Sequence, residues 1–242
     1  MILTIARREW QAAFLSPLAW VLLAVNQVIL AWIFLRVLEA HSGLQAASRA
    51  ASLTQELSLN LFGFAAVLAL IAAPLLAVRV LGGELRDGSF ELLGAAPVRL
   101  GEILLGKLLG LAGVISAAGL LPPLMALALV PIAGIDLGVI LAATLGLLLT
   151  GVLFAAVALF ASSLSTQPGV AAVAAYGILV LLSVLGRAGG EPLGLFEWLS
   201  WSEHLYGFLL GAVRTSDLLY FVLLTGFFLA LTHRRLANRR LG

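Results

Sequence analysis

The chain has 242 residues, of which 62% are hydrophobic and 11% charged, with a mean hydropathy of +1.12. Soluble domains carry about a quarter charged residues, so this composition excludes a water-soluble enzyme or binding module and defines an integral membrane protein. There is no cysteine, hence no disulfide, thiolate metal site or cysteine nucleophile. The net charge of +2 gives no reason to expect a nucleic-acid partner.

Residues 1–14 do not read as a signal peptide, because Arg7, Arg8 and Glu9 interrupt them and no small-residue cleavage site follows an apolar core. Leu3, Ala6, Trp10, Ala13 and Phe14 share one helical face, with Thr4, Arg7, Arg8 and Gln11 on the other. That pattern predicts a helix over 1–15 lying in the membrane interface. Ser16 and Pro17 then read as cap and first residue of a span that runs uncharged to Leu35. Residues 36–56 form a polar connection. Residues 57–78 carry no charge, and at 1.5 Å per residue that is roughly 33 Å of helix, enough to cross a bilayer. Pro74 should kink this second span near its end.

The next stretch, 84–107, is dense in charge between two apolar runs. Charges at bilayer depth cost roughly 2.5–3.5 kcal/mol each, so it must lie outside the hydrocarbon. Gly88 permits a turn, Ser89 can cap a short helix, Glu91 sits where the helix dipole favours an anion, and Pro97 stops that helix or starts the next. Phe90 and Leu93 fall about one turn apart, able to fill another protein's groove.

Residues 108–135 are again uncharged, with Pro122 and Pro123 in the middle and a turn expected over 131–136. Residues 137–186 carry no charge over a length that requires two spans, and Ser162 to Gly169 marks the break. Between 187 and 217, aromatics alternate with charges, which suits short re-entrant helices over 190–214 at headgroup depth. A short last span over 218–232 ends at His233, Arg234 and Arg235.

This gives an all-α membrane protein: one domain over 1–242 with six transmembrane helices. If the N-terminus is inside, ten Lys and Arg residues lie on that side and Arg36, Arg49, Arg187 and Arg214 on the other. By the positive-inside rule both termini and the 84–100 segment are cytoplasmic.

The spacing Glu84-x-x-x-Gly88-Ser89-x-Glu91-x-Leu93 followed by Pro97 resembles the first cytoplasmic loop of type-2 ABC exporter permeases. Three further stretches are similar to the GldF-like, gliding-motility type branch of that family: Ile5 to Ala19, Leu159 to Ser165, and Leu199 to His204 with Gly211 to Tyr220. The resemblance implies a bacterial inner-membrane permease subunit of an exporter, and it makes the loop a coupling helix that docks on a separate ATPase. Glu84, Gly88, Ser89, Phe90, Glu91, Leu93 and Pro97 would be the docking residues. ATP and magnesium would belong to that partner, with no cofactor in this chain. A second permease subunit and an accessory membrane or periplasmic protein are further implied partners. The rival reading is a structural or regulatory membrane subunit that binds an ATPase without transporting.

Other candidates for chemistry have plainer readings. Gly101 to Lys107 imitates a phosphate-binding loop but lacks its Ser or Thr, and no strand precedes it. Ser162, Ser163, Ser165 and Thr166 have no base at a plausible depth, so a short turn is expected. His41, His204 and His233 have no paired helical spacing that suggests a metal. Gly106, Gly110 and Gly113 form a small-residue stripe, which lets helices approach closely, within the chain or at a dimer seam. No span has a charge near its centre, as an ion-coupled carrier would need. This favours an ATP-powered device over a secondary transporter, and the lack of a base beside the serines favours a non-catalytic subunit over an enzyme.

Overall fold

The computed structural model describes residues 1–41, 53–78, 99–188 and 198–241. Among them are ten helices: α1 (Ile2–Leu15), α2 (Pro17–His41), α3 (Leu53–Ala77), α4 (Leu100–Gly119), α5 (Leu121–Leu127), α6 (Val130–Ala133), α7 (Leu137–Leu164), α8 (Pro168–Ala188), α9 (Trp201–Leu209) and α10 (Thr215–Leu241). Six stretches are long and apolar enough to span a membrane: α2, α3, the run from α4 to α6, α7, α8 and α10. No strand occurs among the described residues. The protein is an all-α integral membrane protein with six candidate spans.

Local chemistry sets the joints between helices. Ser16 takes extended backbone angles, and its hydroxyl accepts the Leu18 N–H at 3.3 Å, closing the corner between α1 and α2. The Trp20 indole N–H donates to the Phe14 carbonyl at 2.8 Å across the same corner. The third run breaks at Leu120, because Pro122 and Pro123 lack the N–H groups that would continue the α4 ladder. Gly134, with φ 63°, then turns the chain, and Asp136 caps α7 by accepting the Gly138 N–H at 2.8 Å. Ser165 ends α7 in extended geometry, and Pro168 starts α8.

Helix α7 is the hub, packing against α3, α4, α8, α9 and α10. It can do so because its buried surface is small: a Cβ on Gly146 would lie 2.5 Å from the Phe208 Cβ of α9, and one on Gly151 would lie 3.0 Å from Ile115 of α4. Close approach of this kind replaces hydrophobic driving force inside a membrane, where lipid tails are as apolar as leucine. Helix α2 is the opposite case, with Trp20, Val28 and Trp32 all largely exposed.

Several boundaries differ from the sequence expectation. α2 continues through Arg36 and Glu39, which pair at 3.5 Å on its exposed surface. The last helix starts at Thr215 and continues through His233, Arg234 and Arg235 rather than ending there. Helices propagate cheaply once formed, so charge marks where the hydrocarbon ends and not where the helix does. Residues 57–62 of α3 form a π-helical turn, whose Ser58 hydroxyl donates to the Leu209 carbonyl at the end of α9. Hydropathy carries no signal for such a turn.

Candidate functional site

The expected docking residues Glu84, Gly88, Ser89, Phe90, Glu91, Leu93 and Pro97 lie outside the described residues. The segment they belong to joins α3 to α4, and its downstream end is described from Arg99, whose extended backbone precedes the first turn of α4. The chemistry at that end of the bundle is therefore built from α4 and its neighbour α1.

Helix α4 offers a groove to α1. A Cβ on Gly106 would come within 2.7 Å of the Ile5 Cβ and 3.0 Å of the Ile2 carbonyl oxygen, and a Cβ on Gly110 would come within 2.5 Å of the Glu9 Cβ and 3.2 Å of the Ala6 carbonyl oxygen. Both glycines thus seat α1 within the same chain. Gly113 has nothing within 4 Å of its Cβ position and lines an open groove with Leu3, Trp10, Phe14 and Leu109.

Between the two seated glycines the Lys107 Nζ donates to the Glu9 Oε1 at 2.8 Å, with Lys107 1% and Glu9 11% exposed. Isolating either charge in this setting is expensive, while the pair in contact with good geometry offsets much of that cost. The bond fixes the rotation and the height of α1 on α4 together, since a half-turn slip would pull the Glu9 carboxylate away from the Lys107 ammonium.

This arrangement revises one expectation. Lys107, expected in the surface segment, is buried in the first half of α4. The contact edge of α1 runs through Ile2, Ile5 and Glu9, whereas Leu3 and Trp10 of the expected apolar face are 79% and 47% exposed. An amphipathic helix buried in a headgroup region and one packed on protein have the same sequence pattern, so the pattern alone could not say which edge faces which neighbour.

At the opposite end of the bundle, α9 is bolted down on several sides. His204 has its Nδ1 2.7 Å from the Asp217 Oδ1 and its Nε2 2.9 Å from the Trp198 carbonyl oxygen. Its ring stacks on Tyr220 at 3.9 Å, and the Tyr220 hydroxyl donates to the Leu199 carbonyl at 2.8 Å. Both imidazole nitrogens are thus occupied, one by the Asp217 carboxylate and the other by the Trp198 carbonyl oxygen, which fixes the plane of the ring. Trp201 donates from its indole N–H to the Leu179 carbonyl at 3.0 Å and meets Phe154 edge-on. The described part of the expected 190–214 helices is thus one short helix packed against the bundle. Residues 189–197 lie outside the described residues.

No group of three or more His, Cys, Asp or Glu residues that could hold a metal ion occurs among the described residues. Ser162 and Ser163 donate to the Ala158 and Phe160 carbonyls of their own helix. Sequence reasoning missed the two long-range pairs, Glu9 with Lys107 and His204 with Asp217. The signal available for the first was an acid in an amphipathic helix and a lone lysine at the mouth of a span. It also passed over Asn26, a neutral amide inside the apolar run of α2.

Six apolar spans, a helix laid on the foot of the third and a charged segment between the second and third define a polytopic membrane protein. Residues 3–194 match the family described as ABC-2 family transporter protein, and the chain belongs to that family. No curated protein matches the chain.

Proposed function

We propose that this chain is the transmembrane permease subunit of an ATP-driven exporter of the GldF-like branch, working in a bacterial inner membrane with both termini in the cytoplasm. A separate ATPase docks on residues 84–97, with Phe90 and Leu93 as apolar anchors inside a rim formed by Glu84, Ser89 and Glu91. A second permease subunit completes the pathway. The observation that carries this reading is the family membership over 3–194, a stretch that contains α1 to α8 and the whole charged segment.

The joint of α1 on α4 gives the docking segment a mechanical output. Force applied where the segment meets Arg99 enters α4 about two turns before the first seated glycine, Gly106. Gly106, Gly110 and the pair of Glu9 with Lys107 then carry α1 along, and the corner at Ser16 passes the movement to α2. Closure of the ATPases thereby tilts α2, α3 and α4 as a group and opens the path for substrate.

The test is the double substitution Phe90→Ala and Leu93→Ala. Truncating an apolar anchor costs roughly 1–4 kcal/mol of binding, so ATPase recovery by pull-down falls at least several-fold and ATP-dependent solute movement in reconstituted vesicles is lost, with normal membrane levels of the permease. Unchanged ATPase retention by that variant would return the segment to a simple connector.

A further inference from the structure

Asn26 is the tenth residue of the 25-residue helix α2, which places it roughly 14 Å along the axis from Pro17 at 1.5 Å per residue, deep within the span. It is 9% exposed, and its Nδ2 has no hydrogen-bond partner among the described residues. The side chain lines a cavity of about 200 Å³ between α2, α3 and α4, whose walls include Ala19, Ile29, Ala69, Val114 and Ala118. Among the described residues, Asn26 supplies the only polar side chain of that wall.

Protein interiors leave few voids larger than a water molecule and pair nearly all buried polar groups. Here a void and an unpaired amide donor coincide. Water is a poor occupant, because a buried water needs two to four polar partners, while apolar cavities of about 150 Å³ stay dry and take up molecules the size of benzene. The mouth faces outward at span depth, since Val25 and Ile71 on the wall are 50% and 45% exposed. A second cavity of about 140 Å³ shares Ala19, Leu76 and Val114 with the first and continues towards Glu9 and Ser16, so an extended chain has room at the inner end.

We infer that the cavity between α2, α3 and α4 binds a membrane-soluble amphiphile, an apolar chain or ring bearing a carbonyl oxygen that accepts a hydrogen bond from Asn26 Nδ2. The cavity walls provide the apolar contact, and the single amide sets the depth of the carbonyl. A bilayer lipid with ester carbonyls and a free small amphiphile share this chemistry. The site is independent of the ATPase reading above, because loss of docking at Phe90 and Leu93 would leave all of its walls in place.

The test uses the full-length protein in phospholipid nanodiscs, with a diazirine-bearing decan-2-one as probe and the matching diazirine-bearing decane as control. After illumination, labelled peptides are identified by mass spectrometry. The ketone labels peptides of α2, α3 and α4 saturably, and Asn26→Leu lowers that labelling about tenfold, the size of one net hydrogen bond. The decane labels wild type and Asn26→Leu alike. Ala118→Leu fills the cavity and removes saturable labelling by the ketone, which keeps the test valid should Asn26→Leu fail to fold. Replacing ester lipids by ether lipids, which lack carbonyls, separates the sources: a rise in ketone labelling identifies a lipid ester as resident, and unchanged labelling identifies a free amphiphile. Equal ketone labelling of wild type and Asn26→Leu, or saturable labelling that survives Ala118→Leu, overturns the inference.

Discussion

The two ends of the bundle solve the same problem, holding a short helix against the spans, by different means. At one end, α1 rests on α4 through two glycine seats and one buried ion pair. At the other, α9 is tied to α8, α10 and α3 by separate bonds from Trp201, His204 and Ser58, with Tyr220 stacked beneath. Few strong contacts make a joint that moves as one body and fails abruptly, whereas many moderate ones make a cap whose strength is spread. In the function proposed above, the α1 end is the one that is driven and the α9 end the one that seals.

The comparison predicts unequal sensitivity. Glu9→Leu removes the carboxylate to which the Lys107 ammonium donates, and breaking a buried pair costs about 3–5 kcal/mol. Because the chain has no cysteine, a single Ile5→Cys reporter reads the outcome. Its thiol, shielded against Gly106 in the parent, should label much faster in the Glu9→Leu background, and combining Glu9→Leu with Lys107→Met should restore protection. Failure of Glu9→Leu to accelerate labelling would show that the glycine seats alone hold α1.

Gly110→Val ranks next. A Cβ at Gly110 would meet the Glu9 Cβ at 2.5 Å, and overpacking of this kind costs about 1–3 kcal/mol. The same reporter should show intermediate acceleration, while Gly113→Ala, at a position with nothing within 4 Å, should match the parent. An equal effect at both positions would refute the assignment of Gly110 as a seat.

The smallest effect belongs to the cap. Asp217→Asn weakens one charge-assisted bond of His204 and leaves the bonds of Trp201 and Tyr220 intact, so stability against unfolding in detergent should fall by about 1 kcal/mol. A larger loss than that of Glu9→Leu would invert the contrast between the two ends.

What the sequence made legible is what depends on neighbours along the chain. The six spans follow from long uncharged runs, the break before α5 from Pro122 and Pro123, and the turn before α8 from Ser165 to Pro168, because hydropathy and missing N–H groups act locally. Lys107 reads as part of the charged segment because it is adjacent in sequence, although Glu9, to which it donates, is 98 residues away. Trp10 and Leu3 belong to a true amphipathic pattern, yet periodicity cannot distinguish a lipid-facing edge from one packed on α4. Asn26 was hidden by its neutrality, since a search for charge within spans passes over an amide.

The π-helical turn at 57–62 has a bearing on how the chain tolerates changes in length. A ladder of i to i+5 bonds holds one more residue per closed ring than an α-helix, so deleting a residue there converts the turn to regular α-helix and leaves the phase of Ala65, Ala66 and Ala73 unchanged. Deleting one residue in the middle of α7 has no such reserve, and rotates Ala143, Gly146 and Thr150 by about 100° relative to the half beyond. The second span therefore carries its own slack for the deletion of a residue, at the point where Ser58 reaches the end of α9.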